Sequence, residues 1–563
     1  MVKKPPLGAL LLALAGCATR PAQMPAPVAP IMVQILAIND FHGNLAPPQQ
    51  AITVKAPNGG SIAARMGGAA QLASALQLAR SGHPNTITVA AGDLIGASPL
   101  TSAYFLDEPT IDALNMVGLS VASVGNHEFD KGSAELLRMQ KGGCEKHTTR
   151  VPCRLEPFGG AKFDYLAGNA IRSDGTTLFP GTAIRQVGPI RLGFIGLTLK
   201  ETGTLVTPSG VAGLSFADEA DTANAAVPAL KAASVDAIVL LIHQGGRVPD
   251  TYVEQGCAGL TGDIMPILDR LDPAITTVIS GHTHQAYACT LDKGATTRLL
   301  TSAGKYGYLY TDVALTFDPS TRRLLSQAAA NVPVTGAAGI DSAVAALVVR
   351  YAAAAAPAAA RIVGHLAGPV GASENGAESP AARLVADAQL FATRPRERGG
   401  ADLSFINTGG VRTGLVPEAD GSVTYGKIFE MQPFGNNLVV KTFSGAQLRA
   451  LLEQQFEESG AAAKLRDSIL VPSANFRFSY DLSRPAGERI VSMVLDGKPI
   501  RPERTYRVTV NNFLASGGDG YSVLAQGSDA FDAGLDLDAL ESWLATNPPL
   551  PADDRVREAS RRS

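Results

Sequence analysis

Several stretches of this chain are apolar at nearly every position, where a half-buried strand would alternate apolar with polar residues. They run from Met32 to Ile38, Thr86 to Ala91, Leu119 to Val124, Asp236 to Ile242 and Thr276 to Ser280. Continuous apolar runs of this length predict strands covered on both faces. Between them lie Ala- and Leu-rich stretches of helical length, among them Ala69 to Arg80 and Ala217 to Ala233. The alternation predicts an α/β layered domain over residues 31–335.

Each of the five runs ends in side chains that bind metals or move protons. In order these are Asp40-Phe-His42, Gly92-Asp93, Gly125-Asn-His-Glu-Phe-Asp130, His243 and Gly281-His-Thr-His284. In α/β sheets, ligands gather beyond the carboxyl ends of the strands, which is where these residues fall. Asp40, His42, Asp93, Asn126, His243, His282 and His284 offer hard oxygens and imidazoles without a thiolate. That mixture suits two divalent ions of the Zn, Mn, Co or Fe kind. Seven ligands exceed what one tetrahedral ion takes, and Asp93, alone on its loop, is the expected bridge. Two such cations lower the pKa of a bound water and offset charge on phosphoryl oxygens. His127 then has a role of its own, proton donor to a leaving oxygen or electrostatic stabiliser, with Asp130 orienting it. His83, His147 and His365 read as core or surface residues.

Residues 336–364 are Ala-rich and include Pro357, which predicts a broken helical connector between domains. A second, smaller α/β domain is expected over 365–550. Its predicted parts are a helix around Ala381 to Phe391 and strands near Asp402 to Ile406, Asn437 to Thr442 and Tyr506 to Val510. It carries Asn407-Thr-Gly-Gly-Val-Arg412, Pro433-Phe-Gly-Asn436 and Asn512-Phe-Leu-Ala-Ser-Gly-Gly-Asp-Gly-Tyr521. Gly lets backbone approach a ligand, Arg grips phosphate with two parallel bonds, and Phe rings stack on planar bases. The charged residues 551–563 read as a flexible tail.

At 563 residues the chain exceeds one ordinary core, in keeping with two domains. A net charge of −3 supplies no field for polynucleotide phosphates, so a small anionic substrate is expected. Residues 1–17 read as an export leader: Lys3 and Lys4, an apolar core from Leu7 to Ala15, then Leu14-Ala-Gly-Cys17. That ending resembles the lipobox of bacterial lipoproteins, which implies lipidation at Cys17, with a Pro-rich tether over 18–30. The reading is a periplasmic or cell-surface protein held to the membrane by this anchor alone. Ala18 stands where inner-membrane lipoproteins commonly carry Asp, which favours the outer membrane. A monomer is expected. Export makes disulfides the expected state of Cys144, Cys153, Cys257 and Cys289. Of three connectivities, the two sequence-local pairs are favoured, and no Cys-x-x-Cys spacing marks a zinc site.

The five ordered blocks resemble the calcineurin-like metallophosphoesterase signature, and the later blocks resemble the C-terminal domain of 5′-nucleotidases, including UDP-sugar hydrolases. The resemblance implies a four-layer αββα first domain. One metal would take Asp40, His42, Asp93 and His284, the other Asp93, Asn126, His243 and His282, with His127 and Asp130 as the catalytic dyad. It also implies that Phe434 and Phe513 stack a nucleobase, Asp519 and Asn407 hold the nucleoside, and Arg412 meets the phosphate. The second domain would rotate to bring substrate to the metals, with the connector 336–364 as its hinge. Ala382-Arg383 departs from the family's Gly-Asn, so Arg383 is either a further phosphate contact or a solvated helix residue. The implied activity is hydrolysis of nucleoside 5′-monophosphates, with UDP-sugars and 2′,3′-cyclic nucleotides as further substrates. Competing readings are a thiosulfohydrolase of the sulfur-oxidation type and a non-catalytic nucleotide-binding surface lipoprotein.

Overall fold

The fully apolar runs form the centres of two six-stranded sheets stacked face to face. The structure, a computed structural model, describes residues 1–2, 29–49, 51–55, 60–148, 150–206, 208–249, 252–253, 256–293, 296–373, 377–459 and 462–559. Cys17, the rest of the predicted leader and most of the tether lie outside the described residues.

The first sheet runs in the order Leu324–Pro333, Leu309–Phe317, Ile31–Ile38, Thr86–Ala91, Leu119–Ser123, Asp164–Leu166. The second runs Ala286–Lys293, Thr296–Ala303, Ile275–Ser280, Ala237–His243, Ile190–Thr198, Thr182–Val187. The central pairings are parallel in both. Side chains alternate between two cores, which explains why these strands show few polar positions, Gln34 and Thr88 among them. Val33, Ile35, Ala37, Ile87, Val89, Val239 and Leu241 fill the space between the sheets. Leu36, Ile38 and Ala90 face the helices Ala69–Arg80 and Glu108–Val117. Ile238, Leu240 and Ile242 face Glu219–Ala232 and Ile264–Arg270 on the far side. Each fully buried Leu, Ile or Val contributes about 1.5–3 kcal/mol of transfer free energy. The result is the expected αββα stack, with every ligand-bearing loop at one end.

The helix Ser342–Ala359 runs unbroken through Pro357, contrary to the expected interruption. Pro357 falls in the last turn, where its ring costs one hydrogen bond and few residues follow to be displaced. The helix is apolar and long enough to span a bilayer by composition. Here it packs Val344, Leu347, Tyr351 and Ala355 onto the first domain, with Tyr351 edge-on to Phe105 at 4.8 Å.

The second domain holds a five-stranded sheet, Leu470–Pro472, Leu403–Asn407, Thr505–Asn511, Asn437–Ser444, Ser528–Leu535. The helix Pro380–Thr393 begins with the Ser379 side chain capping Ala382 N–H. A further sheet of four strands includes Val556–Glu558, parallel to Phe476–Tyr480. This corrects the flexible-tail reading. Arg555 is 1% exposed and donates to both oxygens of Asp387, at 2.9 and 2.7 Å. Glu378 accepts from the Arg555 and Val556 backbone amides. Local charge made the segment look solvated; its counterions come from far upstream. Both sequence-local disulfides form, Cys144–Cys153 and Cys257–Cys289.

Candidate functional site

Asp40, His42, Asp93, His282 and His284 all have left-handed backbone, with φ of 49°, 46°, 50°, 70° and 59°. Non-glycine residues there cost about 1–3 kcal/mol each, so the surrounding fold must hold them. Gly92 (φ +81°) permits the crowding: a Cβ there would lie 2.6 Å from His243 Nδ1. The loops bring the side chains into two groups, Asp40 with His42 and His284, and Asp93 with His243 and His282. Within each group the ligand atoms lie within 4.8 Å of one another.

The imidazoles are aimed by their second nitrogens. His42 Nδ1 bonds to Gly96 O at 2.9 Å and His243 Nδ1 to Ala91 O at 2.8 Å, which turns each Nε2 inward. His42 Nε2 then faces His284 Nε2 at 3.2 Å. Burial pushes both imidazoles well below the usual histidine range, and with its Nδ1 committed to Gly96 O the neutral His42 presents an Nε2 lone pair to the gap between them. A cation in that gap would take this lone pair. His243 Nε2 is buried without a hydrogen-bond partner, 3.0 Å from Asp93 Oδ2. Burial opposes its charge, but with protein charges alone the Asp93 and Asp40 carboxylates prevail and lift it to about 10. A bound cation would take the place of that proton. Asp93 Oδ2 is also 3.6 Å from His42 Nε2, so one oxygen addresses both groups. Asn126 Oδ1 lies 3.2 Å from His282 Nδ1. All seven predicted ligands are therefore brought together, and their carboxylate, amide and imidazole donors fit a pair of divalent ions.

Two supporting residues went unassigned in the sequence. Glu128, 2% exposed, accepts from the backbone amides of Gly125, Asp93, Leu94 and Ile95 at 2.7, 2.9, 2.7 and 3.4 Å. One carboxylate thus fastens the Asp93 loop to the Asn126 loop. Asn39 donates to Asp40 Oδ2 at 2.7 Å and to Gly304 O at 2.8 Å. The signal for Asn39 was adjacency to Asp40, and that for Glu128 was its place inside the Gly125–Asp130 run.

His127 and Asp130 meet at 2.9 Å, Nδ1 to Oδ2, across a single 3-10 turn. Burial would lower the imidazole; Asp130 and Asp93 outweigh it and hold His127 above its ordinary value. Phe434 of the second domain stacks on the His127 ring, with centroids 5.7 Å apart and planes 21° apart. The Arg412 guanidinium lies over Phe434 at 5.9 Å, and its buried Nε and Nη2 have no hydrogen-bond partner. Asn407 Nδ2 and Ser468 Oγ donate to Asp519 Oδ2 at 2.8 and 2.6 Å. Half-buried Phe513 lies against Gly518, where a Cβ would come within 2.5 Å of its ring. Arg383 meets neither expectation. It is buried, and Glu378 and Asp554 occupy its guanidinium at 2.7 and 2.5 Å, an ion pair internal to the second domain.

The calcineurin-like phosphoesterase family model matches residues 33–286, and that of the 5′-nucleotidase C-terminal domain matches residues 362–526. The chain is 28% identical over 495 residues to the endonuclease YhcR of Bacillus subtilis, covering 87% of this chain. It spans 38% of that relative's length and 64% of a second curated relative's. It is 24% identical over 577 residues to a 5′-nucleotidase of Vibrio cholerae, covering 96% of this chain and 95% of that one. The 5′-nucleotidase precursor of Thermus thermophilus has the same fold, with a TM-score of 0.75 and 24% identity over 94% of this chain and all of that one. So does the sulfate thiohydrolase SoxB of the same organism, with a TM-score of 0.69 and 18% identity over 94% of this chain and 97% of that one.

Proposed function

This chain belongs to the 5′-nucleotidase family, with a calcineurin-like phosphoesterase domain followed by a 5′-nucleotidase C-terminal domain, and we propose that it is a metallophosphatase acting on nucleoside 5′-monophosphates. UDP-sugars and 2′,3′-cyclic nucleotides are further proposed substrates. The observation that carries this reading is the convergence of seven ligands, five buried and two, His282 and His284, half-buried, beside His127 and Asp130.

Asp40, His42 and His284 would hold one divalent ion and Asn126, His243 and His282 the other, with Asp93 shared. Such a pair supplies a low-pKa water and offsets charge on the phosphoryl oxygens. His127, kept protonated by Asp130, gives its proton to the leaving ribose oxygen. Arg412, with nitrogens free to donate, grips the phosphate. Asp519 and Asn407 hold the ribose, and Phe434 and Phe513 stack the base. The protein is proposed to work outside the cytosol as a monomer, anchored through Cys17.

The test is a panel of mononucleotides, UDP-glucose, cyclic nucleotides, a short oligonucleotide and bis-p-nitrophenyl phosphate, each with Mn²⁺, Zn²⁺ and Co²⁺. AMP should release phosphate, and Phe434→Ala with Phe513→Ala should weaken AMP by about tenfold or more, since base stacking is worth about 1–3 kcal/mol. No release from any nucleotide would refute the reading. A sulfur-ester hydrolase would be indifferent to the two phenylalanines, and a non-catalytic binder has no use for a full ligand set.

A further inference from the structure

Arg247 Nη2 and Asp467 Oδ2 meet at 2.9 Å, one residue from each domain. Each end of this ion pair is built into a different part of the site. Arg247 lies four residues beyond His243 on a loop fixed at several points. Its backbone exchanges hydrogen bonds with Thr261 at 2.9 and 3.0 Å. Gly246 N–H donates to Tyr287 Oη at 2.9 Å. Gly246 O accepts from Thr283 Oγ1 at 2.7 Å, and Thr283 stands between His282 and His284. The Cys257–Cys289 disulfide fastens the far side of this loop to the strand that carries Tyr287. The backbone of Arg247 is thereby held at a fixed place relative to the loops bearing His243, His282 and His284, whatever its side chain does.

Asp467 is held just as closely to the other pocket. Its neighbour Arg466 donates from Nη1 to Asp519 O at 3.1 Å. Its other neighbour, Ser468, donates to the Asp519 carboxylate at 2.6 Å and accepts from Gly409 N–H at 3.3 Å. The segment 466–468 thus grips the loop that presents Asp519 and offers Asp467 outward to the first domain.

We infer that Arg247 and Asp467 form a positioning pair that sets the second domain's nucleoside pocket in register with the metal-ligand loops. This rests on the nucleotide reading above and names a residue pair through which the two pockets are aligned. Neither side chain touches a reacting atom. With side chains 39% and 52% exposed, the pair is solvent-screened and modest in strength. That suits a contact which must open to release product, where a buried ion pair would hold the cleft shut.

The experiment uses the full chain with Mn²⁺ and compares wild type, Arg247→Asp, Asp467→Arg and the charge-swapped double variant. Two substrates are followed: AMP, which engages both domains, and bis-p-nitrophenyl phosphate, which carries no nucleoside. Each single variant should raise KM for AMP about three- to fivefold, the scale of an exposed ion pair turned to repulsion. It should leave the aryl ester within twofold, and the swap should restore AMP to near the wild-type value. The radius of gyration from solution scattering should rise in each single variant and return in the swap. That arm needs no turnover, so it stands even if AMP proves not to be a substrate. Equal losses on both substrates, single variants indistinguishable from wild type, or a swap no better than the singles would overturn the assignment.

Discussion

His127 Nδ1 and Asp130 Oδ2 are 2.9 Å apart on one short turn, and the next residue outward from His127 is Phe434 of the other domain, stacked on its ring. The imidazole thus has a carboxylate at Nδ1 and an aromatic ring of the second domain over one face. Its Nδ1 is committed to Asp130, leaving Nε2 to deliver a proton. His127→Ala is expected to lower kcat by about 10²–10⁴-fold, the usual worth of a positioned general acid. Asp130→Asn should cost less, since it loosens the ring without removing it. Steady-state kinetics with AMP check both, and unchanged turnover in His127→Ala would refute the assignment.

Glu128 joins two ligand loops through backbone amides alone. Glu128→Gln turns an amide nitrogen toward groups that can only donate, leaving at least one buried N–H unsatisfied at about 1–3 kcal/mol. The expected outcome is a lower Tm together with fewer than two tightly held metal ions per chain, read by elemental analysis after dialysis. Full metal content at wild-type Tm would show that the fastening is dispensable.

Arg555 shares its guanidinium with Asp387 and the carbonyls of Arg383 and Pro472. Removing one partner of a buried ion pair strands the other, at about 3–5 kcal/mol. Arg555→Ala should therefore destabilise the second domain strongly in denaturant unfolding. A frayed tail would give no change.

Asp536 opens the helix Asp536–Leu544 and is buried. Burial raises its pKa from 3.8 to about 7, with neighbouring Asp538 adding to the shift. The folded state therefore holds this proton more tightly than the unfolded one. Its contribution is fully present below about pH 4, is lost as pH rises toward 7, and changes no further above that. Asp536→Asn keeps an acceptor for Leu537 N–H. It should raise Tm at pH 8 and leave it little changed at pH 4; a shift that ignores pH would contradict the burial account.

The ligand loops were legible because the ligands lie at the ends of strands whose two buried faces leave few polar positions to confuse the pattern. The two disulfides followed from sequence proximity, and the second-domain strands from their apolar runs. Glu128 was not legible, because a carboxylate whose partners are main-chain amides leaves no trace in residue spacing. Pro357 misled because it is the third-last residue of its helix, where the bond and the ring clash it costs displace little, and Pro228 is carried in the same way within Glu219–Ala232. Arg555 misled because charge near the end of a chain reads as solvated, yet its carboxylate partner Asp387 lies 168 residues upstream. Arg383 misled because one of its partners, Asp554, lies 171 residues downstream, while the other, Glu378, is five residues away.

The central claim is that five strand-end loops cage two cations for phosphate release. Its most direct test strips the protein with chelator and titrates Mn²⁺ back while following phosphate from AMP. Activity should vanish on stripping, then return to a plateau at two ions per chain, and Asp93→Asn should never reach that plateau. Undiminished turnover after chelation, or full activity with less than one ion per chain, would contradict it.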